Sequence, residues 1–199
     1  MWDERYAEDD YAYGTAANDF LVARADAIPP GPVLCLAEGE GRNAVWLAER
    51  GHEVTAVDSS AIGLAKARRL AASRGVQIAT IHRDLAQLEI RPSHWSAIVS
   101  IFAHVPPELR RAVHGRVVEG LRPGGVFILE AYTPEQLRYG TGGPPIAEMN
   151  MRLGDLADEL VGLELEWARE LEREVMEGKF HRGLGHVVQI VARRPKSRE

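Results

Sequence analysis

At 199 residues the chain is most simply one domain, long enough to bury a core without staples, and its 45% apolar and 27% charged residues are an ordinary globular balance. The net charge of −5 argues against a nucleic-acid backbone as main partner, and the one basic cluster (Arg193, Arg194, Lys196, Arg198) reads as a solvated tail. A single cysteine, Cys35, excludes an internal disulfide and suits a reducing cytoplasm; no apolar run nears the ~20 residues of a membrane span, and the acidic N-terminal stretch is no signal peptide.

Residues 1–14 mix aromatics and charge: Trp2, Arg5, Tyr6, Tyr11 and Tyr13, then Gly14. Residues 16–27 have the spacing of an amphipathic helix, with Phe20, Leu21, Ala25 and Ile28 to one side, stopped by Pro29-Pro30-Gly31. Strands and helices then alternate. A strand over Val33–Ala37 leads to a helix from about Arg42, and a strand over Val54–Val57 to a helix from Ser60 to Ser73. That helix has N-cap oxygens in Asp58-Ser59-Ser60 and a stop at Gly75. A strand over Val76–Ile81 leads to Asp84. Another over Ala97–Phe102 runs through His104-Val-Pro-Pro to a helix over 107–120, and a Leu-Arg-Pro-Gly-Gly turn ending at Gly125 opens the strand Val126–Tyr132. Such alternation implies a parallel sheet with helices on both faces.

The last third differs. Residues 138–146, with three glycines and two prolines, read as a mobile loop, and 152–160 as a short helix. From Leu163 to Val175 the apolar positions alternate with period two, although Leu163, Trp167, Leu171 and Val175 also fit a spacing of four. A strand is preferred, because Gly178 to Gly185 makes a turn and Val187–Ala192 is a clear partner. The expectation is a doubly wound, Rossmann-like α/β fold with a seven-stranded, mostly parallel sheet and an antiparallel C-terminal hairpin strand. Within one domain spanning 1–199, residues 1–28 would form an N-terminal lid and helix and 29–137 the nucleoside-binding core. Residues 138–162 would supply an acceptor-side loop and helix, and 163–194 the terminal hairpin.

The corner after the first strand, Glu38-Gly39-Glu40-Gly41, carries the chemistry. Strand, glycine turn and helix in that order bind phosphates or nucleosides, because a ligand can lie against backbone that has no Cβ. Asp58, seventeen residues after Gly41, ends the second strand where a carboxylate can accept hydrogen bonds from ribose hydroxyls. Gly39-x-Gly41-x-x-Ala44 also satisfies the dinucleotide fingerprint, but a nicotinamide-dependent oxidoreductase would need a catalytic domain for which no substantial sequence remains.

The glycine corner, Asp58, Arg83-Asp84-Leu85 and Leu-Arg-Pro-Gly-Gly together resemble the class I S-adenosylmethionine-dependent methyltransferases. In detail the chain is similar to the small tellurite-resistance-type and thiopurine-methyltransferase-like branch. That likeness lies in Trp-Asp-Glu-Arg-Tyr at the start, Glu-Gly-Glu-Gly-Arg-Asn-Ala-Val-Trp-Leu-Ala, and His-Val-Pro-Pro-Glu-Leu-Arg. The resemblance implies S-adenosylmethionine as cofactor, with S-adenosylhomocysteine as product. Glu38, Gly39, Glu40, Gly41 and Asn43 would surround its methionine end, Asp58 and Ser59 its ribose, and Asp84 and Leu85 its adenine. Ile101 and Phe102 would lie near the departing methyl. The family's usual first-strand acid and glycine are Cys35 and Ala37 here, so Glu38 is the carboxylate that would face the methionine ammonium.

Methyl transfer from a sulfonium needs the acceptor positioned and water excluded more than it needs a base, above all for a thiolate or chalcogen oxyanion. Three segments can reach the carboxyl ends of the strands: the aromatic N-terminus, the His104 loop and the Gly-Thr-Gly-Gly loop. The expected acceptor-side residues are Arg5, Tyr6, Tyr13, His104, His181 and Arg182. His104 is the best candidate to steer or deprotonate an acceptor, and a capping or packing histidine is the equal alternative. Trp2, Tyr6, Tyr11 and Tyr13 read as a desolvated lid or as a hydrophobic plug. Cys35 reads as core. His52, His82, His94, His114 and His186 lack metal-ligand spacing, so no metal is expected. The partner would be a small-molecule acceptor, with no nucleic acid and no membrane, and the protein a cytoplasmic monomer or homodimer. A catalytically silent nucleoside-binding protein of the same fold is the other reading.

Overall fold

The computed structural model describes residues 2–196; of the basic tail, Arg198 lies outside the described residues. Seven strands form one sheet: β1 (Pro32–Leu36), β2 (Glu53–Asp58), β3 (Ala79–His82), β4 (Trp95–Ile101), β5 (Leu121–Tyr132), β6 (Glu164–Glu177) and β7 (His181–Arg193). Their order is β3-β2-β1-β4-β5-β7-β6. The first five run parallel, and β7 lies antiparallel between β5 and β6. The expected fold is the observed one. The switch point, where strand order reverses, lies between β1 and β4, and doubly wound sheets bind ligands outside the carboxyl ends there.

Helices α1 (Trp2–Arg5), α2 (Asp19–Arg24), α3 (Arg42–Glu49), α4 (Ala61–Ser73), α5 (Pro107–Gly120) and α6 (Leu153–Glu159) flank the sheet. Successive residues of β1 serve opposite faces. Val33 and Cys35 join Phe20, Leu21, Leu47 and Leu64 in one core, while Leu34 and Leu36 join Val113, Val117, Phe127 and Ile190 in the other. A strand buried on both faces has no polar side to show, hence its near-continuous apolar sequence. Truncating a fully buried side chain such as Phe127 to alanine would cost ~3–5 kcal/mol.

Local chemistry moves several boundaries. The first amphipathic helix starts later than its apolar spacing suggests, because Asn18 caps it by accepting from the Leu21 amide; a 3-10 turn, Ala25–Ala27, continues it. Ser60 caps α4 through the Gly63 amide. The third strand pairs only from Ala79, where its register with Thr55 begins. The hairpin resolves the helix-or-strand ambiguity, since Glu164–Glu177 pairs along β7 throughout, save for an irregularity at Glu166.

Candidate active site

Two non-glycine residues at the switch point have left-handed backbone: Ala37, after β1, at φ 48°, and Phe102, after β4, at φ 53°. Such strain costs on the order of 1–3 kcal/mol and concentrates at functional sites. Ala37 therefore stands where the backbone favours the glycine it replaces. The next residue ties the end of β1 to β2, as the Glu38 amide donates to the Val57 carbonyl at 3.0 Å.

Asp58 and Asp84 come together at the carboxyl ends of adjacent strands. Asp58 pairs with His82 across β2 and β3, and the Arg83 amide donates to the Asp58 carbonyl at 2.9 Å. The Asp58 carboxylate accepts from the Gly39 amide at 2.8 Å and from Ser60 at 2.7 Å, one bond per oxygen. Each oxygen keeps a second lone pair for a hydroxyl. Burial raises the Asp58 pKa, and the amides of Ser60, Gly39 and Ser59 oppose that shift. Ser59 itself is exposed, and its carbonyl is bound by His82. Asp84 is exposed and accepts from the Ala86 amide, while Leu85 is buried with its carbonyl held by Arg116.

The rest of the glycine corner does different work from that expected. Glu38 accepts with Oε1 from the Asn43 and Ala44 amides, at 2.9 and 2.8 Å, pairing amides that the buried first turn of α3 cannot pair itself. Burial pushes its pKa up to about 7. Glu40 turns away from the corner: it accepts from the Ala12 amide at 2.8 Å and forms a buried ion pair with Lys66. Lys66 in turn donates to the carbonyls of Glu8 and Asp10. Asn43 accepts from the Asn18 amide at 2.9 Å. A Cβ on Gly41 would sit 2.5 Å from that of Ala67, so this glycine serves the approach of α3 to α4 rather than of a ligand. Gly39 is the glycine with bare backbone toward the site, and there a Cβ would lie 2.6 Å from the Tyr6 hydroxyl. Of the motif, then, Gly39 and Glu38 face inward, while Glu40 and Asn43 fasten residues 8–18.

The N-terminal arm lies over this corner. Asp3 accepts from the Ser60 hydroxyl, Trp2 stacks on Tyr6, and Tyr6 meets Tyr13 edge-on. Tyr13 packs 4.8 Å from His181, and Phe102 lies 4.7 Å from His181 and 4.6 Å from Tyr132. One run of rings thus joins the arm to the ends of β4, β5 and β7. Arg5 is exposed, donating to the Tyr13 hydroxyl and covering the Phe180 ring at 4.2 Å. Ile101 is buried at the end of β4.

His104 departs from its expected catalytic role. Its Nδ1 is bonded to the Met149 carbonyl at 2.9 Å, and its Nε2 accepts from the Tyr132 amide at 3.2 Å. Desolvation lowers its pKa to about 4. With both nitrogens committed the ring braces β5, which is the packing alternative. His181 faces the rings, and burial pushes its pKa down to about 3. Arg182 is exposed and donates to the Gly178 carbonyl, so it does not join them.

A buried ionic network beneath the site was not legible in the sequence. Glu130, fully buried, accepts from Asn18, from Gln189 and from Nε and Nη2 of Arg173. Glu177 accepts from Asn18, Arg42 and Arg173. Two carboxylates thus balance two guanidiniums. His186 lies close to Glu135 and Glu170, their ligand atoms within 4.8 Å of one another, but Arg152 pairs with Glu135 there.

Comparison with known proteins agrees with this geometry. Residues 33–125 match the methyltransferase domain family. The match covers a little under half of the chain, from β1 to the first residues of β5. Among solved structures, one reported for the conversion of a disulfide bond into a thioacetal group during echinomycin biosynthesis has a TM-score of 0.78 at 21% identity, over 99% of this chain and 89% of that one. TehB from Haemophilus influenzae has a TM-score of 0.74, also at 21% identity, over 97% and 65%. A 2-heptyl-1-hydroxyquinolin-4(1H)-one methyltransferase of Mycobacteroides abscessus is 28% identical over 126 residues, 61% of this chain. That match spans 56% of the relative's length. Among the described residues no helix is long and apolar enough to cross a membrane.

Proposed function

We propose that the protein transfers the methyl group of S-adenosylmethionine to a soft anionic atom of a cytoplasmic small molecule, a thiolate or a chalcogen oxyanion. The observation that carries the reading is the bond between Asp58 and the Gly39 amide. It fixes a carboxylate with free lone pairs beside bare backbone at the switch point, which suits a ribose and the chain attached to it.

The cofactor, when bound, supplies an electrophilic methyl on a sulfonium. Asp58 would accept from the ribose hydroxyls, and Asp84 with the Leu85 backbone would meet the adenine edge. Glu38 would hold α3 with one oxygen and turn the other to the methionine ammonium. Phe102, Tyr6 and Tyr13 would exclude water, and their ring faces would attract the sulfonium. Transfer of that methyl to an anionic acceptor would exchange a carbon–sulfur bond for an acceptor–carbon bond and would leave both products neutral. With His104 committed and His181 weakly basic, the acceptor would arrive already ionised. The structural neighbour concerned with chemistry at sulfur favours this reading, whereas the curated relative is named for a hydroxyquinolone, a molecule without sulfur or selenium.

Turnover against thiols, selenite, tellurite and 2-heptyl-1-hydroxyquinolin-4(1H)-one, followed as S-adenosylhomocysteine formed, tests the proposal. Methylation of a thiol, selenite or tellurite is expected, and methylation of the hydroxyquinolone alone would overturn the soft-acceptor reading. Tight S-adenosylhomocysteine binding with no turnover across the panel would favour the silent binder.

A further inference from the structure

The turn between β3 and β4 that would meet the adenine is held by one arginine. Arg116, on α5, donates through Nη2 to the Leu85 carbonyl at 2.9 Å and through Nη1 to the Leu88 carbonyl at 2.5 Å. Its Nε donates to the Ala112 carbonyl at 3.2 Å, one turn back on α5, which aims the guanidinium at the turn. All three bonds go to backbone carbonyls and none to a carboxylate. Hydrogen bonds from a guanidinium are about twice as strong as neutral ones. Leu85 and Leu88 share a core with Val113 and Val117 of α5, so packing seats the turn on the same helix.

Within residues 84–88 most polar backbone groups are already paired. The Ala86 amide donates to Oδ1 of Asp84 at 2.7 Å and the Gln87 amide to the Asp84 carbonyl at 3.0 Å. The Leu88 amide reaches the Leu85 carbonyl only at 3.4 Å. That bond is long, so the Leu85 peptide is fixed more by Arg116 than by the turn itself. Two groups have no partner within the turn: the Leu85 amide, a donor, and Oδ2 of Asp84, an acceptor. Asp84 is exposed. A donor beside an acceptor complements the edge of adenine, where N1 accepts and the 6-amino group donates. A 6-oxopurine inverts both, with a proton on N1 and an accepting O6.

We propose that Arg116 is a positioning residue for nucleobase recognition. By clamping the Leu85 and Leu88 carbonyls it holds the Leu85 amide and the Asp84 carboxylate at the spacing of an adenine edge. It thereby sets the preference for adenine over a 6-oxopurine. This deepens the methyltransferase reading and rests on it. Arg116 acts through the turn rather than on the ligand. Without the clamp the Leu85 peptide is held only by its 3.4 Å bond and by packing, and donor and acceptor are no longer presented together. A site that hydrogen-bonds its ligand rejects an analogue with mismatched groups far more strongly than packing alone does, so the loss shows first in base preference.

The test is calorimetric titration of the full chain with S-adenosylhomocysteine and with its 6-oxo analogue, S-inosylhomocysteine, in wild type, Arg116→Met and Arg116→Lys. Wild type should bind S-adenosylhomocysteine at least tenfold tighter than the analogue. Arg116→Met keeps an apolar stem and loses the donors, so it should weaken S-adenosylhomocysteine about tenfold and leave the analogue within twofold, in line with loss of one or two hydrogen bonds to the base. Arg116→Lys keeps the charge but offers one nitrogen for two carbonyls, and should retain only part of the preference. A purely structural role would instead lower melting and both affinities together, with the preference intact. Full wild-type preference in both variants, or in Arg116→Lys alone should Arg116→Met fail to fold, would overturn the inference. So would a wild type that binds the analogue as tightly as S-adenosylhomocysteine. Failure of S-adenosylhomocysteine to bind wild type at all would remove the methyltransferase reading beneath it.

Discussion

The Tyr6 side chain lies across Gly39, with its hydroxyl where a Cβ on that glycine would come within 2.6 Å. The ring also packs on Gly63 at the start of α4, so the N-terminal arm and the glycine corner meet through one aromatic side chain. An aromatic wall at this place would retain a sulfonium by cation–π attraction and exclusion of water. Tyr6→Ala is therefore expected to weaken S-adenosylmethionine binding about tenfold, mostly through faster release. Tighter binding in the variant would mean that Tyr6 is a plug competing for the pocket.

Ala37 holds a backbone conformation that glycine adopts without penalty. Ala37→Gly should relieve ~1–2 kcal/mol of left-handed strain and return ~0.4–1 kcal/mol through the freer unfolded chain. A net gain of up to ~1.6 kcal/mol is expected in urea denaturation. A loss above ~1 kcal/mol would show that the alanine methyl contributes packing that outweighs the strain.

Lys66 and Glu40 are almost fully buried and hold residues 8–13 between them. Removing one partner leaves an unpaired buried charge, so Lys66→Met should cost ~3–5 kcal/mol. Lys66→Met combined with Glu40→Gln should recover much of that loss. Additive losses in the double variant would mean that the two side chains act independently.

The Glu38 carboxyl titrates near pH 7 in the folded protein, against 4.5 when unperturbed. A raised folded value means that its stabilising contribution is fully present below about pH 4.5 and is lost as pH rises through 7. Glu38→Gln has no such titration, so between pH 5 and 8 the variant should gain on wild type by on the order of 1–3 kcal/mol. In the same window S-adenosylhomocysteine should bind wild type more tightly as Glu38 ionises, and the variant without that trend. Parallel stability profiles, or affinity in the variant equal to wild type at pH 8, would remove the carboxylate–ammonium role.

The sheet, the terminal hairpin and the Asp58–Asp84 edge were readable in the chain because each rests on local signals. These are apolar runs, capping oxygens, and a carboxylate one residue past a strand. The two-sided ambiguity of 163–175 yielded to its partner strand rather than to its own spacing. The contacts of the motif residues Glu40, Arg42 and Asn43 were not legible, because they lie far along the chain. Arg42 meets Glu177 and Asn43 meets Asn18, pairings that no periodicity encodes. Arg116 carried no signal at all; an arginine on a helix is ordinary until the fold lays the Leu85 and Leu88 carbonyls beside it. His104 looked free because sequence shows a side chain and not the Met149 carbonyl and Tyr132 amide that occupy it.

The central claim, that Asp58 and Gly39 form a nucleoside site for S-adenosylmethionine, is tested most directly by calorimetric titration of wild type and Asp58→Ala with S-adenosylhomocysteine and with NAD. Micromolar or tighter S-adenosylhomocysteine binding to wild type, at least tenfold weaker binding to the variant and no NAD binding is the expected result. NAD binding comparable to that of S-adenosylhomocysteine, or a variant that binds S-adenosylhomocysteine as wild type does, would contradict it.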